Sequence, residues 1–262
     1  MRSVKGGPVT WRDFWNGETT IYVSERHREI HYRRIAQDIV SILPDEDCRI
    51  LDFGCGEALS AGLVAASCRS LVLCDAAETV RNKIRGRTRG LANTRVVSPE
   101  AVEAMPDGSF DLIVANSVIQ YLSRSELEAW LRTWRRVLSP AGRLVLGDIV
   151  PRRVGPLVDA AALLKFSAEH GFLMAAAGGL VRTALSDYRR KRAQLGLLQL
   201  DEAEIIAIAQ SQGLAASRSV QNLGHNPRRL TIIAQRMPHA APEPMPVRER
   251  LPQAYNLMHS TA

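Results

Sequence analysis

Several features are missing from this chain of 262 residues, and each absence removes a class of protein. Its four cysteines, Cys48, Cys55, Cys68 and Cys74, form no C-x-x-C pair, and no Cys/His cluster has zinc-finger spacing. Three of them, Cys48, Cys68 and Cys74, flank or sit in apolar segments and read as small buried hydrophobes, which fits a reducing cytosolic setting. No run of about 18 apolar residues occurs, so no membrane-spanning helix is expected. Trp11-Arg12-Asp13 stand where a signal peptide would need an apolar core, so secretion is not expected and a cytoplasmic location is. No internal repeat is apparent. With 46% hydrophobic and 23% charged residues, the composition is that of a soluble globular protein, one domain with an elaboration. The net charge of +7 favours anionic partners without choosing among nucleic acid, an acidic membrane surface and an acidic substrate; a solvated basic surface explains it equally well.

One further absence is local. Ile50-Leu51-Asp52-Phe53-Gly54-Cys55-Gly56-Glu57-Ala58 reads as a buried parallel strand that stops at a tight turn and feeds a helix. Glycines 54 and 56 permit positive φ and close approach of a ligand. A dinucleotide fingerprint needs a third glycine, and Ser60 and Ala61 stand near its place. Asp52, two residues before the first glycine, would repel a diphosphate but could accept a hydrogen bond from an ammonium group. The stretch resembles motif I (D-x-G-x-G-x-G) of the class I S-adenosylmethionine-dependent methyltransferases, with Ala58 in place of the last glycine.

Later segments extend the resemblance over about residues 48–150, with weaker support to about 236. Ser70–Asp75 reads as a second buried strand, and Asp75 lies 19 residues beyond Gly56, where nucleoside-binding folds place a carboxylate for both ribose hydroxyls. A strand-end Asp that caps the next helix is the alternative. Thr94–Val97 is a short third strand. In the family an acid after it often bonds the adenine amine; here Ser98-Pro99-Glu100-Ala101-Val102-Glu103 offers no Asp in place, and backbone near Ala101 and Val102 stands in. Met105–Asn116 is a Pro/Asp-Gly turn leading into a fourth strand. The resemblance puts Asn116 and Ser117 beside the methionine part of the cofactor and Gln120 or Tyr121 near its methyl group, with a packed aromatic as the other reading of Tyr121. Leu138-Ser139-Pro140-Ala141-Gly142-Arg143-Leu144 is similar to the family's L-x-P-G-G-x-L passage; Ser139–Gly142 reads as a break and Arg143–Asp148 as the fifth strand. By resemblance the cofactor set is Asp52, Gly54, Cys55, Gly56, Asp75, Ala76, Ala101, Val102, Asn116 and Ser117.

Strand and helix alternate about five times, which predicts an α/β fold with a doubly wound parallel sheet. The resemblance makes it Rossmann-like and seven-stranded, mostly parallel, with an antiparallel edge hairpin from 214–220 and 230–234, and a helical cap. The expected divisions are an arm and helix over 1–46, a cofactor-binding core over 47–150, a cap insertion over 151–200, the last helix and edge strands over 201–236, and a disordered proline-rich tail over 237–262. Ser24 is expected to cap a helix to Leu43, Ser123 and Glu126 to form a capping box, and Asp201 and Glu204 to cap a later helix. Within the insertion, Leu157–Leu164 and Phe166–Leu185 read as apolar helices followed by the basic run Tyr188–Arg192. A cap over an apolar acceptor is the favoured reading; such a segment also suits peripheral contact with an anionic membrane.

The expected activity is in-line methyl transfer to a small hydrophobic acceptor, with an RNA or protein acceptor as the alternative. Two rivals come from other classes: a dinucleotide-dependent oxidoreductase, which would need the missing third glycine, and a non-catalytic cofactor-binding or membrane-docking module. The Asn/Asp-Pro-Pro-aromatic signature of DNA amino-methylation is missing after strand four, where Asn116-Ser117-Val118-Ile119 stands, so DNA is not an expected partner. A general base is needed only if the acceptor must lose a proton. His27, His31, Tyr32, Tyr121 and Asp148 are candidates and none is assigned. His225, in the turn 224–229, either binds substrate or faces solvent, with solvent favoured. No metal site is expected, and the oligomeric state is not legible.

Overall fold

The computed structural model describes residues 22–185 and 196–238. The arm expected over 1–21, the basic run Tyr188–Arg192 and the tail from 239 onward lie outside the described residues. The first helix, α1 (Glu25–Ser41), starts as expected: the Ser24 hydroxyl accepts the His27 amide at 3.1 Å.

Strand β1 (Arg49–Phe53) shows why its sequence is apolar throughout. Successive side chains face opposite sides of the sheet, so Leu51 and Phe53 enter one apolar layer and Ile50 the other. It pairs in parallel with β2 (Ser70–Cys74) and with β4 (Phe110–Asn116). β3 (Thr94–Val97) extends the sheet beyond β2, and β5 (Leu138–Ile149) extends it beyond β4. β7 (Leu230–Arg236) runs antiparallel to β5 and to β6 (Leu214–Arg218), giving the order β3-β2-β1-β4-β5-β7-β6. This is the seven-stranded, mostly parallel Rossmann-like sheet with an antiparallel edge that the sequence predicts.

Helices cover both faces. Ala36 and Ile39 of α1, Ala61 and Val64 of α2 (Ala61–Ala65) and Ile84 of α3 (Glu78–Thr88) pack on one. Val102 of α4 (Pro99–Glu103), Leu131 and Trp134 of α5 (Arg124–Val137) and Ile208 of α8 (Glu202–Ser211) pack on the other. The chain winds outward from β1 in both directions, so the carboxyl ends of β1 and β4 border a crevice at the switch point, where open α/β sheets bind ligands.

Two boundaries differ from the sequence expectation. Strand five begins at Leu138, because Leu138 pairs with Phe110 before the register jumps to Leu112 opposite Arg143, leaving Ser139–Gly142 as a bulge within the strand. The insertion breaks at Gly171, not near Lys165: α6 (Pro156–His170) ends on Gly171 at φ 75°, and α7 (Leu173–Leu185) follows. Phe166, Phe172 and Ala176 of this hairpin pack on Val23 and Ile30, fastening it to the start of α1. Among the described residues no helix is long and apolar enough to cross a membrane.

Candidate active site

The site grows from the end of β1. Gly54 and Gly56 take φ of 73° and 57°, and Ala58, where the family pattern has glycine, also lies in the left-handed region at 43°. The turn is folded back on β2: the Gly54 and Cys55 amides both donate to the Cys74 carbonyl, at 2.7 and 3.0 Å. The next amide, that of Gly56, donates to Asp75 Oδ2 at 3.1 Å, and the Glu57 amide donates to the Tyr32 hydroxyl at 2.8 Å. The amides of residues 54–57 are therefore committed within the protein, while the Gly56 carbonyl already faces the Cys55 thiol and the Glu57 carbonyl accepts from Arg87. A Cβ on Gly56 would lie 2.6 Å from the Tyr32 hydroxyl, so α1 closes tightly over the turn.

Two strand-end carboxylates stand at this edge in different states. Asp75 also accepts the Ala77 amide at 2.8 Å; burial raises its pKa, while these backbone donors and Arg81 pull it back. It thus fixes the turn that leads into α3 while holding the glycine turn, and Ala76 beside it is exposed. Asp52 has no side-chain hydrogen bond to any described residue. Burial, and then the charge on Asp75, push its pKa up to about 7. A cationic group placed beside it would relieve both effects.

The ends of β4 and β5 form the opposite wall. Asn116 Oδ1 is buried with no partner, close over Gly147, where any Cβ would collide with it. Ser117 (φ 56°) donates its amide to the Gly147 carbonyl at 3.0 Å and its hydroxyl to Asp148 Oδ2 at 2.6 Å. Asp148 (φ 57°) also accepts from Asn222 and from Arg229, the latter at 2.5 Å. With both oxygens engaged, Asp148 ties Ser117, Asn222 and Arg229 together. Burial works against the Arg229 charge, but Asp148 and Asp159 more than offset it and hold its pKa above the ordinary arginine value. On the adenine side, the Ala101 and Val102 amides both donate to the Ser98 carbonyl; Val102 is fully buried and Ala101 exposed.

Above the turn lies a cluster of rings. Tyr22 donates a hydrogen bond to Tyr32 and sits 5.4 Å from His31; His31 is 6.5 Å from His225. His225 stacks on Phe166 at 4.8 Å, so the expectation that it faces solvent is corrected: α6 covers it. His27 stacks on Phe172 at 5.1 Å and its Nδ1 accepts the Val23 amide, which makes it a packing histidine. Burial, then neighbouring His225, lower the pKa of His27 to about 4 and of His31 to about 3, so both rings are neutral near pH 7. Among the described residues no three His, Cys, Asp or Glu side chains are placed to hold a metal ion.

Sequence reasoning missed Tyr22, Asp159 and Arg229. Nothing in the sequence separates Arg229, buried between two carboxylates, from exposed Arg228 beside it. Conversely, the unpaired Asp52 carboxyl, the orphaned Asn116 oxygen and the left-handed turn suit an aminoacyl nucleoside with an ammonium, not a diphosphate.

Fold and site together place a glycine turn and two strand-end carboxylates at the switch point of a Rossmann-like α/β sheet. Residues 51–146 match the model of a family described as a methyltransferase domain. That stretch is thus similar to a methyltransferase domain, and the seven-stranded sheet around it has the fold of solved S-adenosylmethionine-dependent methyltransferases. Among solved structures, the YcgJ protein of Bacillus subtilis is 19% identical with a TM-score of 0.51, over 72% of this chain and 70% of that one. A methyltransferase from Aquifex aeolicus is 16% identical with a TM-score of 0.52, over 82% and 98%. The magnesium protoporphyrin IX methyltransferase of Synechocystis, solved with its cofactor bound, is 17% identical with a TM-score of 0.51, over 86% and 89%. At these identities the likeness is one of fold. No curated protein sequence matches the chain.

Proposed function

We propose that this protein methylates a small, apolar acceptor bound between the glycine turn and helices α6 and α7. The observation that carries the reading is the pair of strand-end carboxylates around a left-handed turn, one bonded into the fold and one without a hydrogen-bond partner among the described residues. Asp52 and the carbonyls of Gly54, Cys55 and Gly56 receive the ammonium. Asp75, flanked by Ala76, receives the ribose hydroxyls on the lone pairs its backbone donors leave free. Asn116 and Ser117 border the methionine chain, and α4 at Ala101 and Val102 borders the adenine.

S-adenosylmethionine, when bound, supplies a methyl group on a sulfonium that is already activated. The protein's own share is alignment and exclusion of water. Rings from α1 and the residues just before it, from α6 and from the 219–229 segment supply an apolar, slightly polar-edged wall: Tyr22, His31, Tyr32, Phe166 and His225. A histidine with a pKa near 3 is a feeble base, so His31 favours an acceptor that needs little help in losing a proton.

Calorimetry with S-adenosylmethionine and S-adenosylhomocysteine tests the cofactor roles. Wild type should bind both, and Asp75→Ala should weaken binding about tenfold or more, because it removes charge-assisted bonds. No binding by wild type sinks the reading. Labelled methyl from S-adenosylmethionine should enter the small-molecule fraction of a cell extract; label in RNA or protein overturns the acceptor class.

Exposed apolar side chains favour a second feature, docking on a lipid surface from which such an acceptor is drawn. Leu157 of α6 and Met174 of α7 are each 85% exposed, and Leu173 and Val181 of α7 are exposed as well. Changing Met174 and Val181 to Ser should abolish co-sedimentation with anionic vesicles without lowering Tm. Unchanged co-sedimentation removes this role.

A further inference from the structure

One buried network reaches from the cofactor wall to the helical hairpin. Ser117 donates to Asp148 Oδ2 at 2.6 Å, and Arg229 Nη1 donates to the same oxygen at 2.5 Å. The other arms of the Arg229 guanidinium run to α6: Nη2 to Asp159 Oδ2 at 3.0 Å and Nε to Asp159 Oδ1 at 3.2 Å. One planar cation thus joins the end of β5 to a helix of the insertion, with two of its donors on one carboxylate, a geometry lysine could not supply.

The surroundings hold the joint in one arrangement. Asn222 accepts the Asp148 amide at 3.2 Å and donates to its carboxylate at 3.3 Å. Asn226 donates to Asp159 at 2.8 Å, and the Gly224 amide donates to Asp38 of α1 at 2.9 Å. Ser117 and Asp148 both have positive φ without being glycine, a strain that persists only where the surroundings over-determine it. Side-chain exposures of 17, 13 and 20% for Arg229, Asp148 and Asp159 keep these bonds out of bulk water, so a shift of α6 cannot be absorbed by solvent.

We propose that Arg229 is a positioning residue that couples helix α6 to the cofactor wall at Ser117, so that closure of the α6–α7 pair over an acceptor and binding of S-adenosylmethionine strengthen one another. The proposal rests on the cofactor reading above. It assigns the 219–229 segment a role beyond joining two edge strands: it carries the state of the hairpin to the methyl donor. Asp159, on α6, becomes a residue that tunes cofactor affinity without belonging to the cofactor set.

Coupling is reciprocal, so it can be read from either end on the full-length protein. S-adenosylhomocysteine added to wild type should slow hydrogen exchange at residues 156–165 and 222–229. Asp159→Asn should weaken its binding by about fivefold or more in calorimetry. Ser117→Ala with Asp159→Asn together should weaken binding by less than the product of the two single effects. A structural role alone would lower the Tm of Asp159→Asn and leave its affinity and the wild-type exchange pattern unchanged, and that result overturns the proposal. The exchange measurement needs no variant and stands even if Asp159→Asn does not fold. Failure of wild type to bind S-adenosylhomocysteine overturns the cofactor reading and this coupling with it; binding with unaltered exchange on α6 overturns the coupling alone.

Discussion

Asp52 and His31 titrate in opposite senses, which makes stability against pH a probe of both groups. Asp52 has its folded pKa raised to about 7 from an unfolded value of about 3.9. Between those values the folded state binds the extra proton, so this group's contribution to stability falls as pH rises through the window. His27 and His31 are lowered to about 4 and about 3 from about 6.5. For them the unfolded state binds the extra proton, and stability is lost as pH falls below about 6.5. Asp52→Asn should therefore raise the Tm of the ligand-free protein at about pH 8 while weakening S-adenosylhomocysteine binding at least about tenfold, since the unpaired carboxylate is what the ammonium would meet. Thermal melts and calorimetry on one preparation check both halves; a lower Tm at that pH would show that Asp52 is not an uncompensated charge. At this scale the sequence is legible where a residue type is demanded by position: an acid before a glycine turn, an acid at the next strand end. It is illegible where a role depends on a distant partner, as with Arg229 and Asp159, which are 70 residues apart.

Elements are written in the sequence to the extent that their own ends specify them. The capping boxes Ser123/Glu126 and Asp201/Glu204 are both formed, because each satisfies amides within four residues and needs nothing from the rest of the chain. Ser123→Ala should cost about 1 kcal/mol and leave cofactor affinity unchanged, as read by denaturant midpoint and calorimetry. A larger loss would mean that the Ser123 hydroxyl supports more than α5. Leu138–Leu144 shows the converse. Pro140 and Gly142 are turn residues by any local rule, yet pairing of Phe110 with Leu138 across the sheet absorbs them as a bulge. The hairpin of α6 and α7 is intermediate: two apolar helices are evident from composition, but their break falls at Gly171, where a left-handed residue ends α6, and not at Lys165, where the apolar run is interrupted.

For the whole molecule, a parallel sheet buried on both faces leaves long-range apolar alternation that is easy to read, and the fold was correspondingly accessible from β1 to β5. The insertion defeats that approach, since its rings face α1 and the 219–229 segment through contacts that no local period encodes. These two parts should nevertheless respond to ligand as one body. The proposed cofactor set draws on the ends of β1, β2 and β4, α1 packs on the glycine turn and the hairpin packs on α1, so binding should stabilise the entire cooperative unit. At about 100 times Kd, a ligand that binds only the folded state adds about 2.7 kcal/mol. For a protein of this length each kcal/mol moves Tm by about 2–4 °C, so S-adenosylhomocysteine should raise Tm by about 5–10 °C. NAD under the same conditions should leave it unmoved, because the amides of Gly54, Cys55, Gly56 and Glu57 are already taken by Cys74, Asp75 and Tyr32. A shift with NAD and none with S-adenosylhomocysteine would mean that the turn reopens to expose those amides, and that the acid at position 52 has been read with the wrong ligand in mind.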